Sequence, residues 1–267
     1  MKPECAILTA MDNHGYNKYG RIMLQSFDEK IRKDIPIHVY HENFTASDWL
    51  TPFSERVHFH KRETLIPDLM DFKTKYAKEN GVQPERYDYN KDAIKFSNKS
   101  FSIVHGTTQG YARKVFWFDA DSFCFDSPPD DFFDKMLNDG EANCYLGRIG
   151  LYTETGFIGF DTEHPAHAEF MRQWAEYYTK AKVFELKRGW TDCDVFDDLI
   201  ARYKTVGVKF NNLTPGAKGA DHIFINSFLG QYFDHKKGGR KRHGKSFRRD
   251  LYVDRKEPYW TSATNAG

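Results

Sequence analysis

The stretch that decides the fold runs from Val115 to Asp126, "VFWFDADSFCFD". Four apolar residues, Val115 to Phe118, lead straight into Asp119 and Asp121, with only Ala120 between them. A short, continuous apolar run of this kind suits a strand buried on both faces. Carboxylates at i and i+2 of an extended segment point to one side, where they repel each other. A cation between them removes the conflict, and oxygen ligands of this type suit Mg2+ or Mn2+. The competing reading has Asp121 capping a turn and Asp119 merely exposed.

Outward from this stretch, strands and helices alternate. "CAILTA" near the N-terminus reads as a buried first strand, followed by a polar loop "MDNHGYNKYG" and a helix through "RIMLQSFDEKI". "IPIHVY" and the alternating "RVHFH" read as further strands. "LIPDLMDFKTKYAKENG" predicts a helix with Pro67 near its start and Gly81 just past its end. "KDAIKFSNKSFSIVHGTTQ" carries Ile94, Phe101 and Val104 near helical spacing, and "DSPPDDFFDKML" reads as a turn plus a short helix. Beyond it, "ANCYLG" and "TGFIGF" read as strands. "HPAHAEFMRQWAEYYTKAK" and "TDCDVFDDLIARYK" read as helices, the second with Thr191 or Asp192 as N-cap. The Gly- and Lys/Arg-rich "FDHKKGGRKRHGKSFRRD" is expected to lack regular structure. The alternation predicts one α/β unit over 1–267, a three-layer α/β/α sandwich around a mostly parallel, mixed sheet.

Composition adds bounds rather than an answer. Of 267 residues, 40% are apolar and 29% charged, ordinary for a globular chain. The 16% aromatic share suits a filled core, or surfaces on which sugars or bases stack. A net charge of +1 makes no case for a polyanion partner of the whole chain. The four cysteines, Cys5, Cys124, Cys144 and Cys193, show no metal-ligand spacing and read as reduced core thiols. No apolar run reaches the ~20 residues of a membrane span, and the short apolar run at the N-terminus makes no signal-peptide core. The expectation is a soluble, cytoplasmic protein.

Three families place carboxylates in this way. A calcium loop of the EF-hand kind needs an oxygen ligand and then glycine where this chain has Phe123 and Cys124, and is excluded. Phosphohydrolases of the haloacid-dehalogenase type put D-x-D after a hydrophobic strand, but near the N-terminus and with a small β-branched residue where Phe123 stands. They remain a minor rival. The third pattern fits more of the chain: "VFWFDAD", then "ETGFIGF" with "HP" and an aromatic helix, then "FDHKKGGRK". In this order, over roughly residues 4–245, the chain resembles metal-dependent nucleotide-sugar glycosyltransferases of the GT-A fold.

The resemblance implies a nucleotide-sugar-binding half (1–125), an acceptor half (126–235) and a basic C-terminal tail (236–267). It implies a hexosyltransferase-like enzyme using Mn2+ or Mg2+, with Asp121 as main metal ligand, Asp119 on the ribose or on the metal through water, and His235 as third ligand. An imidazole shifts the preference towards Mn2+. Lys237 and Gly238 would meet the diphosphate, with Arg240 and Lys241 assisting; a solvated basic loop is the alternative. The base would lie near Thr9, Ala10 and Tyr16, with uridine expected before guanosine. Lys95 and Lys99, one helical turn apart, could reach the donor, although a solvated helix face explains them too.

For the acceptor, a glycan or another hydroxyl compound, an inverting enzyme needs a carboxylate base. Asp192, beside Trp190, is the first candidate and Glu154 the second, because a helix N-terminus weakens Asp192 as a base; retaining chemistry stays open. The rival from another class is a nucleic-acid-binding protein gripping phosphates through Lys236 to Arg249, with Phe247 and Tyr252 interleaved. A transferase acting on a modified nucleic-acid base combines the two.

Overall fold

The apolar run does form a strand at the centre of a sheet. The computed structural model describes residues 2–44, 53–217 and 222–262. Its strands are β1 (Cys5–Asp12), β2 (Ile37–Glu42), β3 (Val57–Lys61), β4 (Asn80–Val82), β5 (Tyr87–Asp92) and β6 (Lys114–Phe118). They continue with β7 (Ser122–Cys124), β8 (Glu141–Leu146), β9 (Glu154–Asp161), β10 (Lys209–Asn212) and β11 (Phe233–His235). The longer helices are α1 (Arg21–Lys30), α2 (Pro67–Lys75), α3 (Ala93–Thr108), α4 (His167–Thr179) and α5 (Asp192–Thr205).

Seven strands make one sheet in the order β10-β8-β9-β6-β1-β2-β3. β9 alone among them runs against its neighbours, so the sheet is mixed and mostly parallel, with helices on both faces. The period of two explains the double cover. Ile7, Phe116, Phe118 and Phe157 belong to one core; Leu8, Trp117, Ile158 and Phe160 belong to the other. β6 is buried at every position, which is why it reads as unbroken hydrophobe rather than alternation.

Because β1, β2, β3 and β6 are parallel, Asp12, Glu42, Lys61 and Asp119 come out on one edge. Glu154 reaches the same edge because β9 runs the other way and starts there. A second, two-stranded sheet pairs β11 with β7 and sets His235 opposite Ser122.

Several local expectations need correcting. The predicted loop after β1 is helical at Asn13–Gly15, with Asp12 accepting from the Gly15 amide at 2.6 Å. α2 stops at Lys75, because the following residues enter a β4–β5 hairpin in which Gly81 takes a φ of +74°. β3 keeps its expected alternation at the edge of the sheet: Val57 and Phe59 pack against one core, whereas His58 and His60 stack on His38. The basic tail has regular structure: β11, a helical turn at Arg240–His243, and Trp260 buried with its indole N–H on Gly230 O at 2.7 Å.

On the outer half of the sheet, His38 Nδ1 lies 2.9 Å from His60 Nε2, and Tyr111 stacks on His38 at 3.6 Å. Burial, then the neighbouring imidazoles, push His38 down to about 3 and His60 down to about 4. Both stay neutral in the folded chain at pH values where the unfolded chain protonates. Stability is therefore expected to fall as pH drops from about 6.5 towards 3, by about 1.4 kcal/mol per pH unit for each proton taken up only on unfolding. In urea titrations across that window, His38→Phe should flatten the slope; an unchanged slope would refute the account.

Candidate active site

Asp119 and Asp121 leave β6 on either side of Ala120, and His235 meets them from β11. Ligand atoms of the three lie within 4.8 Å of one another. His235 Nε2 is 3.1 Å from Asp121 Oδ1 and 3.7 Å from Asp119 Oδ2. The backbone locks this in place: Lys236 N donates to Asp121 O at 3.0 Å, and Asp119 N to Gly156 O at 3.0 Å. His235 and Asp121 are buried, whereas the Asp119 side chain is 29% exposed and so remains reachable. Two carboxylates and one imidazole converging on one point fit a divalent cation.

Fixed cations already surround these carboxylates. Lys241 Nζ sits 2.9 Å from Asp121 Oδ2. Burial pushes the Asp121 carboxyl upward, but His235 and Lys241 together outweigh it and hold it well below the usual carboxylate range. Lys99 Nζ bridges Asp119 Oδ1 at 2.7 Å and Asp192 Oδ2 at 2.9 Å, and donates to Thr155 O at 2.6 Å. Burial alone would lower the Lys99 ammonium; Asp119 and Asp192 raise it instead. Glu154 is held by Lys237 and by the Gly156 amide at 3.0 Å. Burial acts to raise its pKa, and the Lys237 and His235 charges overcome that and hold it ionised.

Asp192 is placed by a capping box: the Thr191 hydroxyl accepts from the Asp194 amide at 3.2 Å while Asp194 accepts from the Thr191 amide and hydroxyl. This fixes the first turn of α5 and turns Asp192 towards Thr155, whose hydroxyl donates to Oδ2 at 2.6 Å. Thr191, not Asp192, is therefore the cap.

A cleft of about 1020 Å³ opens over these strand ends. Of the residues expected at a ligand site, Ala10, Lys95, Asp119, Asp121, Glu154, Asp192, His235, Lys237 and Gly238 all line it. Three do not. Thr9 is fully buried in β1, Tyr16 packs against Phe44 with ring centres 5.0 Å apart, and Arg240 is tied to Asp250 at 2.5 and 2.6 Å. Sequence reasoning missed the cleft residues Glu42, Arg62, Lys73 and Tyr89, which come from separate elements and share no spacing that could reveal them.

No family model matches the chain, and no curated protein matches it. Solved structures similar to it include mouse xyloside xylosyltransferase 1 in its apo form, with 14% identity over 80% of this chain and 85% of that one and a TM-score of 0.49. Another is a glycosyltransferase involved in the glycosylation of the major capsid of PBCV-1, with 12% identity over 91% and 98% and a TM-score of 0.47. A third is the apo form of GlyE from Streptococcus pneumoniae TIGR4, with 12% identity, 79% of this chain, 45% of GlyE and a TM-score of 0.43. At this distance they carry no argument about chemistry, which rests on the residues of the cleft.

Gly156 gives a direct test. A Cβ there would lie 2.4 Å from His235 Cε1, too close for the ring to stay where it is. Gly156→Ala is expected to displace His235 and weaken Mn2+ binding, followed by electron paramagnetic resonance, by 10-fold or more, on the order of one ligand lost, with the far-UV circular dichroism unchanged. Undiminished Mn2+ binding would place the metal elsewhere.

Proposed function

We infer that the protein is a glycosyltransferase of the GT-A type, moving a sugar from a nucleotide-diphosphate sugar to a hydroxyl acceptor. The observation that carries this reading is the meeting of Asp119, Asp121 and His235 at the floor of a cleft whose walls supply Lys95, Lys99, Lys237 and Lys241. A divalent ion on the three ligands, Mn2+ before Mg2+ because of the imidazole, would neutralise the charge that develops on a leaving diphosphate.

The chain's own groups account for the rest. Lys241 sits where it can transfer its contact from Asp121 to a phosphate oxygen, and Lys237 can do the same from Glu154. Gly238, with a φ of +54° and open space around it, lets the backbone approach. Preplaced cations of this kind stabilise negative charge where it grows, with little reorganisation. Lys99 keeps Asp119 and Asp192 side by side without mutual repulsion.

On the acceptor side, Asp192 takes the hydroxyl proton in an inverting reaction. Its bonds to Lys99 and Thr155 both run through Oδ2, which leaves Oδ1 to face an incoming hydroxyl. Glu154, clamped by Lys237, is the second candidate and serves better as the anchor of that lysine. The acceptor is read as a glycan or similar hydroxyl compound. For a polymer-gripping role of the tail nothing further speaks, and Arg240 is committed to Asp250 of the same chain.

The test is donor turnover. With Mn2+, the protein should release free nucleotide from its nucleotide sugar, and chelation should stop it. Asp121→Asn should lower the rate by roughly 10²- to 10³-fold, while Asp192→Asn should spare donor binding but lose transfer by a comparable factor. Full activity in metal-free buffer, or in Asp121→Asn, would refute the reading.

A further inference from the structure

Beside the cleft lies a separate cavity of about 330 Å³, walled by α5 and by the segment 147–153 that joins β8 to β9. Its volume falls at the lower end of small-molecule sites, about 300–1,000 Å³. The joining segment is the partition between the two. Ile149 and Thr153 line the small cavity, Gly150 and Tyr152 line the cleft, and Leu151 lines both. The partition is pinned at each end. The Gly147 amide donates to Asn212 Oδ1 at 3.0 Å, and the Thr153 amide donates to Asp197 Oδ1 at 3.2 Å. Arg148 Nε donates to Tyr152 O at 2.8 Å, and its guanidinium lies 4.5 Å from the centre of the Tyr152 ring. A ligand therefore meets a surface that needs little further ordering.

The crest of this partition is apolar and open. Ile149 is 56% exposed, Leu151 39% and Tyr152 41%, three large apolar side chains within four residues. Exposed apolar surface gathered in one place and rimmed by polar groups marks a binding surface. The rim is supplied by Asn212, Thr214 and Lys204, all of which line the cavity. Lys204 Nζ donates to the Tyr145 hydroxyl at 3.0 Å and forms no ion pair among the described residues, which leaves two N–H groups for a ligand. A pyranose ring needs this combination: its C–H faces pack on aliphatic and aromatic side chains, and its hydroxyls take mixed donors and acceptors.

One helix joins the cavity to the chemistry. α5 begins in the cleft at Asp192, and its Asp197, Ala201 and Lys204 line the small cavity. At 1.5 Å per residue these lie about 8, 14 and 18 Å from Asp192 along the axis, the reach of a short oligosaccharide. We propose that the cavity is a distal acceptor subsite, and that the acceptor is an oligosaccharide rather than a single sugar or a small alcohol. Its terminal hydroxyl lies at Asp192, the chain crosses the crest at Leu151 and Tyr152, and an inner sugar unit occupies the cavity.

The proposal rests on the transferase reading above, and the experiment keeps the two apart. Wild-type protein without donor is titrated calorimetrically with the methyl glycosides of glucose, mannose, xylose and N-acetylglucosamine, and with cellotriose, maltotriose, mannotriose, xylotriose and chitotriose; donor hydrolysis with Mn2+ is measured separately. At least one trisaccharide is expected to bind roughly 10- to 100-fold more tightly than its monosaccharide. Ala201→Trp, at an exposed helix position outside the cleft, fills the cavity and should erase that gain, with donor hydrolysis and the far-UV circular dichroism as in wild type. Lys204→Met should remove part of it. Trisaccharides that bind no more tightly than monosaccharides, or a gain that survives both substitutions, overturn the subsite, and continued donor hydrolysis then leaves the transferase reading standing. A gain that Ala201→Trp erases in a protein that hydrolyses no donor overturns the transferase reading and leaves a saccharide-binding cavity.

Discussion

Carboxylates cannot be buried at a strand end without cations beside them, and the cleft of this protein is organised around that demand. Asp119, Asp121, Glu154 and Asp192 converge there against the ammonium groups of Lys99, Lys237 and Lys241, four carboxylates to three ammonium groups. The lysines come from two distant segments, so satisfying the charges also ties the chain together: α3 to α5 through Lys99, and the C-terminal segment to β9 and to the β6–β7 turn through Lys237 and Lys241. Removing one partner of a buried pair is far more damaging than the pair is stabilising. The same network is chemically poised, because one divalent ion converts the small negative balance into a small positive one, suited to a diphosphate.

The antiparallel strand β9 is the second organising feature. Were it parallel to β6, Glu154 would lie at the opposite edge of the sheet and Lys237 would have no anchor. Running backwards, β9 also brings Gly156 beneath the imidazole of His235, where only a residue without a side chain fits. The sheet thus presents both ends of its strand directions to one cleft, and the β11–β7 pair carries His235 to Asp121.

The cleft divides into two chemical regions. Around the aspartates, charge is dense and mobile: Lys241 and Lys237 hold carboxylates by contacts that a phosphate can replace. At Glu42, Arg62 and Lys73 the groups are mutually fixed, with Arg62 buried and Glu42 and Lys73 half-buried.

Much of this was legible in the residues alone. An apolar run with no alternation can only be buried on both faces, and two carboxylates directly after it need a cation; strand, fold class and the pair Asp119–Asp121 follow from those local facts. His235 with Lys237 and Gly238 was legible as a dense basic cluster late in the chain. What pairing over long sequence distances decides was not: the β11–β7 register that brings His235 within 3.1 Å of Asp121, the inward turn of Lys241, and the grouping of Glu42, Arg62 and Lys73. Those depend on which strand ends lie side by side, and strand order is set by packing across the whole sheet. For the same reason Thr9 and Tyr16 looked like cleft residues and are core, since a place near a strand end does not say which way a side chain points.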